Sequence, residues 1–100
     1  MPADRANRPP AVTVQVPSML RAYCGDTTVL SLDAPSVREA LGEIERRHPN
    51  LYRSVCDETG AVRRHVNLFV NNDSVRDRQG LDTPLAAGDV VSIIPAVSGG

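Results

Sequence analysis

Residues 85–100 read LAAGDVVSIIPAVSGG and contain the segment that decides the fold. A Gly-Asp pair, typical of a turn, precedes an apolar run typical of a strand, with Val91 and Ile93 facing inward. The run ends at a proline, and the last five residues, 96–100, finish in two glycines. We predict a buried final strand followed by a flexible C-terminal tail.

Three further segments alternate apolar and polar residues with the period of a β-strand. They are 12–16 (VTVQV, valines inward), 27–32 (TTVLSL, with Thr28, Leu30 and Leu32 inward) and 65–70 (HVNLFV, with Val66, Leu68 and Val70 inward). Turn residues follow the third segment, and a short strand through Val75 is expected after them. Because the first and last strands are both rich in β-branched residues, we expect them to be neighbours at the centre of the sheet.

A helix is predicted between the second and third strands. Ser36 stands three residues before Glu39, which is the spacing of a capping box. Val37, Ala40, Leu41 and Ile44 then recur on one helical face, and Pro49 ends the helix near His48. Residues 50–55 are expected to form a short helical turn that places Leu51 and Val55 under the core.

One helix with one apolar face and one mixed sheet predict a two-layer α+β domain. The order of elements is that of the β-grasp, the ubiquitin-like architecture. We predict a disordered N-terminal tail at 1–10, a β-grasp domain at 11–95 and a flexible C-terminal tail at 96–100.

Composition excludes several classes of function. The formal net charge of the 100 residues is −1, which disfavours nucleic-acid binding by phosphate neutralisation. All eleven basic residues are arginines, so no lysine of this chain can accept an isopeptide bond. Cys24 and Cys56 have no metal-type or redox spacing, and His48 and His65 are isolated, so neither a metal site nor catalytic side chains are expected. We expect a cytoplasmic protein without a signal peptide or a membrane span.

The sequence 65–100, HVNLFVNNDSVRDRQGLDTPLAAGDVVSIIPAVSGG, resembles the C-terminal part of the small ubiquitin-fold sulfur carriers. These include the carrier of thiamine biosynthesis, the small subunit of molybdopterin synthase and the actinobacterial carrier of cysteine biosynthesis. The segment VPSMLRAYCGD, 16–26, adds to the likeness, which spans about residues 12–100 and is greatest for the cysteine-biosynthesis carriers.

The resemblance implies a function for Gly99 and Gly100. A separate E1-like enzyme would use ATP to adenylate the Gly100 carboxylate, and sulfur would then displace AMP and leave a thiocarboxylate. The protein would thus be a co-substrate with no bound cofactor, and not an enzyme. The implied partners are that adenylating and sulfurtransferring enzyme, a PLP-dependent cysteine synthase or a secondary-metabolite enzyme that accepts the sulfur, and a zinc JAMM-type peptidase.

Three alternatives remain open from the sequence. Within the family, the chain could be a small subunit of molybdopterin synthase. It could instead be a ubiquitin-like modifier conjugated through Gly100, or a β-grasp interaction module whose tail has no role.

The tail and the outer face of the sheet supply the candidate site residues. An extended chain from Pro95 to Gly100 reaches about 20 Å, and its glycines can thread a narrow channel. The inward alternation turns Phe69, Val90 and Ile94 outward, and with Pro95 and Val97 they form a predicted docking patch beside the tail. Five arginines are candidates for contacts with acidic partner surfaces: Arg21, Arg63, Arg64, Arg76 and Arg78.

Overall fold

The computed structural model describes residues 9–95, in which five strands form one mixed sheet. The strands are β1 (Ala11–Gln15), β2 (Val29–Asp33), β3 (Val66–Val70), β4 (Asp73–Ser74) and β5 (Val90–Pro95). Their order is β2-β1-β5-β3-β4; β1 and β5 pair in parallel, and every other pair is antiparallel. The first and last strands are therefore neighbours at the centre, as the sequence predicts.

Helical segments occupy the connections between strands. The α-helices are α1 (Val37–Arg47) and α2 (Pro49–Val55), and three 3₁₀ helices cover Ser18–Cys24, Val75–Asp77 and Gly80–Asp82. We call the first of these, Ser18–Cys24, the edge helix. At the start of α1, the Ser36 hydroxyl oxygen accepts a hydrogen bond from the Glu39 backbone N–H at 3.3 Å. The reciprocal half of the predicted capping box is different, because the Glu39 carboxylate bonds the Ser36 hydroxyl and not its backbone N–H.

One hydrophobic core lies between the sheet and the helices. The predicted face of α1 is buried, as are Leu51 and Val55 of α2. The inward residues of the central strands are at most 3% exposed: Val12, Val14, Val66, Leu68, Val70, Val91 and Ile93. The sheet and the main helix form the predicted two-layer α+β arrangement of a β-grasp domain.

The structure corrects the predicted second strand. It begins at Val29, two residues later than expected, and Thr28 is exposed, whereas Leu30 and Leu32 are buried as predicted. Two successive residues with positive φ, Gly25 at 69° and Asp26 at 63°, form the turn that precedes it. This turn closes the edge helix, which occupies a segment that we predicted as a loop.

The fourth strand also ends earlier than predicted. It stops at Ser74, and Val75 begins a 3₁₀ helix in which its side chain is buried. The Ser74 side chain accepts a hydrogen bond from the Arg76 backbone N–H at 3.3 Å. Serine caps favour helical turns over continued strand pairing, which accounts for the change.

The domain boundaries predicted at residues 10 and 96 fall at the limits of the described range. The Pro10 carbonyl accepts a hydrogen bond from the Ala34 N–H at 2.9 Å, so the hydrogen-bonded structure includes Pro10. Residues 1–8 of the tail predicted at 1–10, and the whole tail predicted at 96–100, lie outside the described residues. Between residues 9 and 95, no helix is long and apolar enough to cross a membrane.

Candidate functional site

The chain continues toward its diglycine from one particular end of the sheet. Strand β5 ends at Pro95, which pairs with Val66 at the start of β3. Because β1 runs parallel to β5, with Gln15 opposite Ser92, the end of β1 lies at this same end. Val29, the first residue of β2, pairs with Gln15 and lies there too. We call this end of the sheet, formed by Gln15, Val29, Ile94, Pro95 and Val66, the exit edge.

The opposite end of β5 is held by a hydrogen-bonded turn. Gly88 has a φ of +88°, and the Asp89 carboxylate that follows accepts bonds from the Ala86 N–H at 2.9 Å and the Asn71 Nδ2 at 3.1 Å. The Asn71 Oδ1 in turn accepts from the Val90 N–H at 3.0 Å. The backbone bond from Ala86 and the side-chain bond from Asn71 hold the pKa of Asp89 below its usual value. These contacts fix where β5 starts.

Exposed apolar side chains lie at the exit edge and on the edge helix that follows β1. Among the described residues, the exposed large hydrophobic side chains are Met19, Tyr23, Val29 and Ile94, with exposed fractions from 44% to 65%. Met19 and Tyr23 belong to the edge helix, which follows the end of β1. Only Ile94 was among the predicted docking residues. Met19 and Tyr23 are apolar residues of the segment predicted as a loop, and Val29 occupies an outward position of the predicted second strand.

The predicted docking patch is divided on the outer face of the sheet. Phe69 and Val90 do point away from the core and are half-buried, because their neighbours along each strand face inward. Ser92 lies between Val90 and Ile94 on β5 and opposite Phe69, and its hydroxyl donates to the Gln15 Oε1 at 3.2 Å. A polar pair thus separates the patch into parts, of which Ile94 belongs to the exit edge.

The remaining predicted site residues divide between the described and undescribed parts of the chain. Pro95 is half-buried opposite Val66. Val97, Gly99 and Gly100 lie outside the described residues, so their roles stay predictions.

The candidate arginines are brought together only in part. Arg64 is exposed just before β3, and the Arg76 Nη2 donates to the Val66 carbonyl oxygen at 3.4 Å, so both lie at the exit edge. Arg63 precedes them, and its Nε donates to the Arg53 carbonyl at 2.8 Å. The Arg21 Nε donates to the Val16 carbonyl oxygen at 3.1 Å, and Arg21 lines a groove with Gln15 and Val29, so it also lies at the exit edge, on the β1–β2 side. Arg78 forms an ion pair with Asp73 at 3.4 Å.

Both thiols are buried. Burial raises the pKa of Cys56 to about 11, although a hydrogen bond with the Tyr52 side chain opposes the rise. Cys56 is therefore protonated at neutral pH, and a protonated thiol is a poor nucleophile. It borders a groove of 530 Å³ between α2 and the loop at 57–63, which also includes Tyr52 and Arg63.

Comparison with known proteins shows the family. The ThiS family model matches residues 14–100. The chain belongs to the ThiS family. This match covers the helices, the terminal diglycine and all of the sheet except the first three residues of β1, and it confirms the predicted membership of the ubiquitin-fold sulfur carriers.

Individual relatives agree with this family membership. The chain is 34% identical over 91 residues to the sulfur carrier protein CysO of Mycobacterium tuberculosis, covering 89% of this chain and 98% of that protein. The structure resembles a chain of the Amycolatopsis orientalis BexX/CysO complex with a TM-score of 0.82, at 32% identity and with 89% and 99% of the two chains covered. The small archaeal modifier protein SAMP1 of Methanosarcina acetivorans gives a TM-score of 0.78 at 29% identity, over 91% and 97% of the chains. These likenesses confirm the β-grasp fold.

Proposed function

We propose that this ThiS-family chain is a sulfur carrier that holds sulfur as a thiocarboxylate at Gly100, within a route that makes cysteine or thiolates a secondary metabolite. The observation that carries the proposal is the family match, which runs through residue 100 and includes the diglycine. The relatives named as sulfur carriers, and their likeness over nearly their whole length, support it.

The chemistry requires activation, because a carboxylate lacks a good leaving group. The Gly100 carboxylate oxygen attacks the α-phosphorus of ATP, and the bond to pyrophosphate breaks. A sulfide sulfur then attacks the carbonyl carbon of the acyl adenylate, the bond to the AMP oxygen breaks, and AMP leaves. If the donor is a persulfide, the product is an acyl disulfide, which a second thiol must reduce to give the thiocarboxylate.

The carrier contributes access and presentation to these steps, while the partner enzymes supply the catalytic groups. The last two residues have no Cβ atoms, so an enzyme channel can approach the reacting carbonyl closely. The high pKa of Cys56 disfavours a persulfide at that residue as the sulfur-carrying form.

The partners proposed for this cycle are enzymes. An E1-like adenylating enzyme loads the carrier, and a sulfur acceptor, such as a PLP-dependent cysteine synthase, unloads it. One structural neighbour is a chain of a BexX/CysO complex, which supports docking of a partner protein by this fold. A zinc JAMM-type peptidase that regenerates Gly100 remains a prediction from the resemblance.

Intact mass spectrometry tests the proposal. The purified protein is incubated with the adenylating enzyme of its source organism, ATP and sulfide. We expect a mass increase equal to the exchange of one oxygen for sulfur, localised to Gly100. A cysteine persulfide would instead add a whole sulfur atom without loss of oxygen, so the two products are distinguishable.

Two variants serve as controls for the mass experiment. Deleting Gly100, or adding one alanine after it, should abolish loading and leave the melting temperature unchanged, since the residue lies beyond the core strands. Loading of the deletion variant to the wild-type level would refute the thiocarboxylate mechanism.

Protein modification is a second candidate function, favoured by the similarity to small archaeal modifier proteins. In that case Gly100 would form an isopeptide bond with a lysine of another protein, because this chain has none. Discrete higher-mass conjugates that disappear on isopeptidase treatment would support this function. The third alternative, a small subunit of molybdopterin synthase, predicts a stable stoichiometric complex with a large subunit.

A further inference from the structure

Arg64 and Arg76 lack carboxylate partners within residues 9–95, a property that they share with Arg21, Arg53 and Arg63. Between residues 9 and 95, the ion pairs are Arg38–Asp82, Arg46–Glu43, Arg47–Glu43 and Arg78–Asp73. Arg64 and Arg76 take part in none of these. We call Arg64, Arg76 and the exposed His65 together the basic cluster.

The fold brings the basic cluster together from separate parts of the chain. Arg64 and His65 immediately precede β3, whereas Arg76 lies ten residues after its first residue. Strand β4 runs antiparallel to β3, and the 3₁₀ helix at Val75–Asp77 continues in that direction back toward the start of β3. The Arg76 guanidinium consequently reaches the Val66 carbonyl, and Val66 is the residue that pairs with Pro95.

The charge of the cluster is largely available to a partner. The hydrogen bond from Arg76 uses one nitrogen and a neutral carbonyl, which leaves its positive charge uncompensated. Asp77 is exposed and adjacent to Arg76 in the sequence, but it forms no ion pair within residues 9–95. On the other side of β5, the exit edge presents the exposed apolar Val29 together with Arg21, whose Nε bonds the Val16 carbonyl. The surface around Pro95 thus carries two arginines without carboxylate partners on the β3 side, and an exposed apolar residue with one arginine on the β1–β2 side.

We propose that Arg64 and Arg76 dock on carboxylates at the rim of the enzyme channel that receives the diglycine. The inference rests on the proposed sulfur-carrier function and specifies the chemistry of the partner surface. Pro95 lies within about 20 Å of Gly100 even along a fully extended chain, so the side chains around it face the entrance of any channel that holds Gly100. Opposite charges at such a rim accelerate encounter and make it dependent on salt.

Charge reversal at the cluster tests the inference. The double variant Arg64→Glu, Arg76→Glu is compared with wild type for the initial rate of thiocarboxylate formation at low carrier concentration. The purified adenylating enzyme, ATP and sulfide are used at about 10 mM and about 100 mM salt, where the Debye length falls from about 30 Å to about 10 Å. We expect the variant to be slower by about tenfold or more at low salt, and the wild-type rate to fall as salt rises.

Two further double variants test whether local charge, and not side-chain shape or net charge, causes the loss of loading rate. Arg64→Lys, Arg76→Lys keeps the charge and should retain most of the rate. Arg38→Glu, Arg46→Glu makes the same change in net charge on the exposed side of α1, and should load at nearly the wild-type rate. Circular dichroism spectra and melting temperatures identify any variant that has lost the fold.

The outcomes distinguish failure of this inference from failure of the proposed sulfur-carrier function on which it rests. If wild type is loaded and the Arg64→Glu, Arg76→Glu variant matches its rate and salt dependence, the acidic rim is refuted. The same holds if the variant on α1 loses as much activity, since net charge alone would then explain the loss. Absence of loading in wild type would refute the proposed function, and the inference with it.

Discussion

Replacing Asp89 with asparagine probes the turn that positions β5. The two carboxylate oxygens of Asp89 accept from different donors, the Ala86 N–H on Oδ2 and the Asn71 Nδ2 on Oδ1. An asparagine side chain has one acceptor oxygen, and its NH₂ group would face whichever donor is left. The substitution therefore removes one hydrogen bond and places two donors against each other, with almost no change in volume.

The expected cost follows from these contacts. A hydrogen bond to a charged group contributes about 1.5–3 kcal/mol, and partial exposure of Asp89 reduces this to about 1–2 kcal/mol of unfolding free energy. For a domain of this size, each kcal/mol shifts the melting temperature by about 4–8 °C. We therefore expect Asp89→Asn to melt about 4–16 °C below wild type at pH 7.

The pH dependence of that difference identifies its cause. The pKa of Asp89 is lowered in the folded protein relative to about 3.9 in the unfolded chain. Its contribution is fully present above the unfolded pKa and is lost as the pH falls through the folded pKa. Thermal unfolding followed by circular dichroism at pH 7 and at about pH 2.5 should show the gap between wild type and variant narrowing in acid. Asparagine does not titrate, so the comparison isolates this carboxylate from the others.

Two results would contradict this account of the turn. Equal melting temperatures of wild type and variant at pH 7 would mean that the hydrogen bonds of Asp89 make no net contribution to the free energy of unfolding. A gap of the same size at both pH values would mean that the ionised form is not the one that holds the turn. The variant should still be loaded with sulfur at temperatures where it is folded, because the turn lies at the opposite end of β5 from the exit edge.

Three further predictions concern stability, thiol access and docking. Gly42→Ala should raise the free energy of unfolding by about 1 kcal/mol, because the position lies inside α1 with open space for a Cβ. Gly88→Ala should lower it by about 1–2 kcal/mol, because Gly88 has a positive φ. Melting temperatures that shift in the same direction for both variants would contradict this. In native protein, iodoacetamide at pH 8 should label Cys24 and Cys56 slowly, and both should react after denaturation, so rapid native labelling would contradict their burial. Phe69→Ser should weaken binding to the adenylating enzyme and lower the melting temperature only slightly. If the melting temperature instead falls sharply while the folded fraction binds as well as wild type, Phe69 belongs to the core.

Sequence periodicity predicts most of the central sheet, because burial of one face of each strand requires apolar residues at alternate positions. In β1, β3 and β5, alternate residues face the core and the others do not, so pattern and structure coincide. The edge helix lacks such a signal. Its half-buried Leu20 and buried Cys24 pack against the core, and the Arg21 side chain bonds the Val16 carbonyl, so tertiary contacts define it. Its closing turn also moves the start of β2, which is why Thr28 is not inward as predicted.

The sequence predicts which kinds of side chain the candidate site contains, but not which of them lie together in the fold. Outward alternation alone places Phe69, Val90 and Ile94 on one face. The pairing of Ser92 with Gln15, which divides that face, depends on the parallel register between β1 and β5. Similarly, the sequence offers five candidate arginines, but only the return path after β4 brings Arg76 back toward Arg64 at the start of β3.

The central position of β5 has a consequence for protein synthesis. This strand joins β2-β1 on one side to β3-β4 on the other, and the two pairs share no other strand among the described residues. A nascent chain on the ribosome therefore cannot complete its sheet until residues 90–95 have emerged, and contacts of such long sequence separation form late in folding. A chain halted before that point would lack both the centre of its sheet and the segment that leads to Gly100. An enzyme that recognises the exit edge together with the diglycine would consequently select for carriers whose folding is finished.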